Sequence, residues 1–100
     1  GDIGSLDLTY GVRLRYLRIG NHNNVDGYLN QRLTDLVLTN CIALEYLDLS
    51  NCQGFGTQTG QNGVYTLNLS NQTSLKEFYC NKSTITNITF PETETLHTSF

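Results

Sequence analysis

Two histidines, His22 and His97, and three cysteines, Cys41, Cys52 and Cys80, are the side chains of this 100-residue sequence with the widest chemical range. A histidine works as a general base when a nucleophile stands within its reach, and neither histidine lies in a recognisable nucleophile motif. The glycine-rich stretch Gly54-Phe55-Gly56-Thr57-Gln58-Thr59-Gly60 misses the dinucleotide fingerprint by one residue. No helix pattern follows it to aim backbone N–H groups at a phosphate. The cysteines are followed by no histidine or second cysteine at metal-ligand spacing. They read as buried free thiols. These residues therefore point away from an enzyme, and to no cofactor and no metal.

The elements that would carry such residues are visible in a short pattern, apolar-x-x-apolar-x-apolar. It fits Ile3, Leu6, Leu8; Leu14, Leu17, Ile19; Leu33, Leu36, Leu38; Leu44, Leu47, Leu49; Val64, Leu67, Leu69; Leu75, Phe78, Cys80; and Ile85, Ile88, Phe90, with an eighth copy opening at Leu96. With 38% of residues hydrophobic, chance filling of these slots is on the order of one in a billion. The starts at 3, 14, 33, 44, 64, 75, 85 and 96 define a unit of about 21 residues built from two halves. Two units carry extra residues within 20–32 and 51–63, and both insertions are rich in Gly, Asn, Gln and Thr, a loop composition. Each copy ends in a period-two alternation, as in Tyr46-Leu47-Asp48-Leu49, which is a strand signature. A half-unit of 10 or 11 residues that also turns a corner has no room for an ordinary helix, so turns or short 3₁₀ segments should join the strands. Asn21, Asn40, Asn51 and Asn71 recur just after the last apolar slot, where an asparagine side chain can bond a turning backbone.

Two of these copies, Leu33-Thr34-Asp35-Leu36-Val37-Leu38-Thr39-Asn40-Cys41 and Leu44-Glu45-Tyr46-Leu47-Asp48-Leu49-Ser50-Asn51-Cys52, resemble the leucine-rich repeat core Leu-x-x-Leu-x-Leu-x-x-Asn/Cys. The short unit is most similar to the bacterial, internalin-like repeats of that family. The family's Asn/Cys slot holds Gly11, His22, Cys41, Cys52, Gln72 and Ser83 here, so the buried hydrogen-bond ladder of that slot should be irregular. The resemblance implies a repeat solenoid: a right-handed superhelix of short parallel β-strands over residues 1–100, about four coils with little or no long helix. A flatter, two-sided solenoid resembling a parallel β-helix is the alternative. One coil cannot bury its own leucines, and the repeat slots run from Ile3 to Leu96 with no polar or helical cap. A segment of a longer array, or one capped by another chain, is therefore expected, with a complete small protein with frayed ends as the alternative.

Net charge is −3 and charged residues make up 15%, which does not suit a basic nucleic-acid binder, and no apolar run reaches the roughly 18 residues of a membrane span. Stacked units turn sequence columns into surface neighbours. One face then carries Tyr16, Tyr46 and Glu77 beside Arg18, Asp48 and Tyr79, with Arg15, Glu45 and Lys76 alternating in sign alongside. Arg18 is expected to face Asp48. Tyrosine and arginine anchor interfaces well, so Tyr16, Arg18, Tyr46, Asp48 and Tyr79, joined by Tyr28 and Phe55 from the inserted loops, form the expected binding site. His22, Asn23, Asn24, Asp26, Gln53, Thr57 and Gln58 lie in the same loops. The function expected is a recognition module for a protein or glycan ligand, in a bacterial-type surface or secreted protein. A structural repeat segment of a larger assembly, such as a virion tail or fibre, is the alternative. Neither nucleic acid nor membrane insertion is expected. The sequons at Asn68, Asn71, Asn81 and Asn87 read as incidental, and the residues themselves assign no compartment, the exterior or cell surface being what the resemblance favours.

Overall fold

The computed structural model describes residues 4–23, 27, 29–93 and 96–100. Eight three-residue strands run through it: β1 (Ser5–Asp7), β2 (Tyr16–Arg18), β3 (Asp35–Val37), β4 (Tyr46–Asp48), β5 (Thr66–Asn68), β6 (Glu77–Tyr79), β7 (Asn87–Thr89) and β8 (His97–Ser99). All pairings are parallel, and among the described residues there is no helix. The even-numbered strands form one sheet in the order β2-β4-β6-β8, while the odd-numbered strands form two pairs, β1-β3 and β5-β7. Successive strands thus alternate between two faces. Parallel neighbours require a long return, and here the return is the intervening strand and its two corners.

Leucine explains why the strands hold. The central slot of each strand points inward, and Leu44, Leu47, Leu49, Leu69, Leu75 and Phe78 are completely buried. Register puts Leu17 beside Leu47, Leu47 beside Phe78, Leu6 beside Leu36, and Leu67 beside Ile88. Covering such side chains stabilises by about 1.5 to 3 kcal/mol each, which offsets the ordering of many short strands. Corners are made by a device the asparagine column does not capture. Asp7, Asp48 and Asn68 close their strands, and each side-chain oxygen accepts the N–H two residues on, from Thr9, Ser50 and Ser70. Of the asparagine column, Asn21 accepts the N–H of Asn23, Asn51 takes a positive φ of 65°, and Asn71 donates to the Thr39 carbonyl.

Three expectations are corrected. Strand β8 pairs Thr98, not Ser99, with Phe78, which puts Thr98 in the column of Leu17, Leu47 and Phe78. Val64, expected inside, is 53% exposed, and its neighbour Tyr65 is buried instead. The Tyr65 hydroxyl donates to Asp35 Oδ1 at 2.7 Å and accepts the Leu36 N–H at 3.0 Å. A side chain thereby occupies the ladder position between β3 and β5, which is why the odd-numbered face is two separate pairs. Phe55, expected on the surface, is 1% exposed and packs on the Tyr65 ring with centroids 4.6 Å apart. The insertion that carries Phe55 thus fills the core beside the displaced strand.

The insertions are also tied to each other. Asn30 bridges Cys52 in parallel, with Asn30 N–H donating to the Asn51 carbonyl at 2.8 Å and Gln53 N–H donating to the Asn30 carbonyl at 2.6 Å. Thr84 N–H continues this line by donating to the Cys52 carbonyl. All three cysteines are free and buried, as their slots suggest. Burial pushes the Cys52 thiol up to about 12 and Cys80 up to about 11, so neither forms a thiolate near neutrality.

Candidate functional site: the tyrosine face

The four-stranded sheet presents aromatic side chains from adjacent strands. Tyr16 and Tyr46 are register partners, and their rings stack 4.2 Å apart and within 6° of parallel. Tyr46 meets Tyr79 at 5.6 Å and 48°, and Tyr79 meets His97 edge to face at 5.8 Å. Parallel strands about 4.8 Å apart hold register partners at stacking distance, which accounts for Tyr16 on Tyr46, whereas Tyr79, the register partner of Asp48, meets Tyr46 and His97 diagonally from the neighbouring column. Tyr16 is 54% exposed at its outer end. Tyr46 is half-buried, and Tyr79 is buried with its hydroxyl donating to Glu77 Oε1 at 2.9 Å.

Asp48 departs most from its expected place. Arg18 is its register partner, yet the Arg18 side chain is exposed and donates to the Gly20 carbonyl at 3.3 Å. The Asp48 carboxylate is fully buried beneath the first insertion. Its Oδ2 accepts from His22 Nδ1 at 2.8 Å and from the His22 N–H at 2.9 Å, and its Oδ1 accepts from the Ser50 N–H at 2.9 Å. Burial pushes its carboxyl up, and these bonds more than offset the push and leave it below the usual range. A carboxylate only accepts, so His22 carries its proton on Nδ1. The imidazole lies flat on Tyr79 at 3.9 Å, and the Tyr46 hydroxyl stands 3.4 Å from Nδ1. His22 was legible as a loop residue; that it reaches back over the sheet was not.

Gly20 makes this closure possible. A Cβ at Gly20 would stand 1.7 Å from the Ser50 carbonyl oxygen, so only glycine lets the two backbones come so close.

Alongside the tyrosines runs a charged ridge. Glu45 receives Arg15 on one side and Lys76 Nζ, at 3.0 Å, on the other. Hydrogen bonds from Arg15 and then Lys76 hold its carboxyl down to about 2. Open grooves flank the ridge: one of about 420 Å³ touches Tyr16, Tyr46 and Glu77, and one of about 450 Å³ is bordered by Thr73, Ser74 and Thr93. The arrangement offers a rigid aromatic edge, fixed charges of both signs and hydroxyls, suited to holding a polar ligand.

Of the expected site, Tyr16, Arg18, Tyr46, Asp48 and Tyr79 come together on one sheet, but only Tyr16 and Arg18 are well exposed. Phe55 lies in the core, away from any ligand, and Tyr28 lies outside the described residues. Glu77 and His97 complete the face. Among the described residues, no serine, threonine or cysteine side chain hydrogen-bonds to His22, and no three His, Cys, Asp or Glu side chains converge as a metal site would need. No protein family, curated protein or solved structure matches the chain.

Proposed function

We propose that this chain is a leucine-rich-repeat segment, a right-handed solenoid of about four coils with loop insertions at 20–32 and 51–63, and that it is a non-enzymatic recognition module. In this reading a protein or glycan ligand binds the tyrosine face, in a surface or secreted setting. The repeat reading is supported by the buried corner residues: Gln72 Nε2 donates to the Leu38 carbonyl at 2.6 Å, and the Cys41 thiol reaches the Leu8 carbonyl at 3.3 Å. These two side chains each reach a carbonyl of the preceding coil, as the Asn/Cys slot of the resembling family does.

The observation that carries the functional reading is the Tyr16–Tyr46 stack, flat, half open and bordered by the Arg15, Glu45 and Lys76 ridge. Rigid aromatics lose little freedom on binding. The test is a screen of the chain against a glycan array and a displayed peptide library, repeated with the Tyr16→Ala/Arg18→Ala variant. Binding lost in the variant, with an unchanged melting temperature, is expected. Binding that survives the double change, or a chain that captures nothing in either format, contradicts the reading.

A structural segment of a larger assembly is the second reading. What favours it is the set of large apolar side chains exposed along the surface, Val12, Ile42 and Val64 among them.

A further inference from the structure

The ridge beside the tyrosines carries more hydrogen-bond donors than it uses. Glu45 is its one carboxylate, and it accepts from both Arg15 Nε and Lys76 Nζ. A guanidinium has five N–H donors and an ammonium three, so most of them remain once the two carboxylate oxygens are taken. Exposure is sorted in the same sense: the Arg15 and Lys76 side chains are 74% and 67% exposed, against 24% for Glu45. The acid lies beneath its two cations, and the ridge turns positive charge towards solvent.

The groove of about 450 Å³ on one side of the ridge continues this pattern. Besides Arg15 and Lys76 it is bordered by Thr73, Ser74 and Thr93, and none of these three hydroxyls has a hydrogen-bond partner among the described residues. Its wall therefore offers cations and unused hydroxyls, while its carboxylate is already engaged. Such a set fits an oxyanion, a carboxylate or a sulfate, which accepts several charge-assisted hydrogen bonds at once. Across the ridge the groove of about 420 Å³ shares Arg15, Glu45 and Lys76 but is otherwise walled by Tyr16, Tyr46 and Glu77. Aromatic edges and an acceptor for hydroxyl groups suit an uncharged sugar ring. The centre of this arrangement is internal, since Glu45 and Lys76 lead directly into β4 and β6, the two inner strands of the sheet.

We infer that the tyrosine face takes an acidic glycan lying across the ridge. Its carboxylate or sulfate sits among Arg15, Lys76, Thr73, Ser74 and Thr93, and a neighbouring sugar ring lies along Tyr16 and Tyr46. The inference rests on the recognition reading and narrows the ligand to one class. An acidic peptide suits the site less well. A peptide gains its specificity from pockets for side chains, and the apolar wall of the first groove is only Ala43 and the fully buried Leu75.

The test is a titration of the isotope-labelled chain, followed by amide shifts at Tyr46, Ser74 and Lys76. The probes are trigalacturonate and its methyl ester, sulfated and plain maltotriose, and a tetra-aspartate peptide. At least one acidic trisaccharide is expected to bind about ten-fold or more tighter than its neutral counterpart, and which of the two does so separates carboxylate from sulfate. That affinity is expected to fall several-fold between low and high salt. Arg15→Gln/Lys76→Gln should bring the acidic probe down to the neutral one, and Arg32→Gln, which borders neither groove, should change nothing. Circular dichroism checks each fold; should the double change unfold the chain, Thr73→Val/Ser74→Ala, whose hydroxyls hold no other residue, is expected to weaken the acidic probe alone. Equal binding of acidic and neutral trisaccharides overturns the inference and leaves the recognition reading standing. So does tetra-aspartate binding as tightly as the acidic trisaccharide, or an affinity that Arg32→Gln lowers as much as Arg15→Gln/Lys76→Gln. Failure of every glycan probe overturns the inference too, and only a chain that also captures nothing from the glycan array and the peptide library overturns both.

Discussion

His22 Nδ1 lies 2.8 Å from Asp48 Oδ2 across 26 residues of sequence, and this contact fastens the first insertion to the sheet. The imidazole seals a carboxylate that is otherwise fully enclosed. His22→Ala removes the side-chain donor, the stack on Tyr79 and the cover over Asp48 together. A loss of about 1 to 3 kcal/mol is expected in urea unfolding. Asp48→Ala should cost at least as much, because the N–H groups of His22 and Ser50 then lose their acceptor. A cost below about 0.5 kcal/mol for both changes would remove the clasp from the account.

Stability should depend on acid in a defined direction. Glu45 is held down to about 2 by Arg15 and Lys76, and Asp48 lies below its ordinary value because hydrogen bonds outweigh burial. Unfolded carboxylates titrate near 4, so both groups favour the folded state fully above roughly pH 5. That contribution disappears as pH falls from there towards 2. Urea midpoints measured between pH 7 and pH 2 should drop along this limb, and Glu45→Gln/Asp48→Asn should flatten it. A wild-type midpoint constant down to pH 2 would contradict the assignment.

Gly20→Ala tests a close approach of two backbones. The added methyl would have to share space with the Ser50 carbonyl oxygen, 1.7 Å away, and backbone on both sides leaves little room to yield. We expect a loss of about 3 kcal/mol or more in unfolding free energy. Gly27→Ala meets nothing within 4 Å but has a φ of +71°, so it should cost only about 1 kcal/mol through backbone strain. Equal effects of the two substitutions would argue against the observed path of the insertion.

Tyr65→Phe removes one oxygen from a buried bridge. The Leu36 N–H then loses a partner, as does the Asp35 carboxylate. A cost of about 1 to 3 kcal/mol follows. Hydrogen exchange at Leu36 should quicken more than at Leu47, whose sheet does not use this hydroxyl. Uniform exchange changes across both faces would mean that Tyr65 does not bridge β3 and β5.

Strand positions were readable because leucine spacing is a direct image of which side chains must be dry. Strands β1 to β7 sit where the pattern places them. The slip at β8 arose where the pattern ran thin: Thr98 is inward by register, and a threonine does not announce itself as a core residue. Val64 and Tyr65 exchanged roles because Tyr65 can satisfy its hydroxyl inside, at Asp35 and Leu36, while its ring covers Phe55. Nothing local to those two residues reveals a partner 30 positions away. The tyrosines were legible as columns, and the stack of Tyr16 on Tyr46 followed from strand spacing, whereas the reach of Tyr79 across from the neighbouring column did not. Asp48 was not, since its burial is decided by the loop carrying His22, and loops set their path through contacts that periodicity does not encode. For the same reason Phe55, read as a surface anchor, proved to be core.

Inter-strand NOEs in the labelled chain address the account at its root, the stacking of residues 20 to 31 apart into neighbours. Cross-peaks linking Leu17 to Leu47, Leu47 to Phe78 and Phe78 to Thr98 are predicted, together with Tyr16 to Tyr46 ring contacts. Contacts confined to residues three or four apart, as a helix gives, or Leu47 cross-peaks with water in place of Leu17 and Phe78, would contradict it.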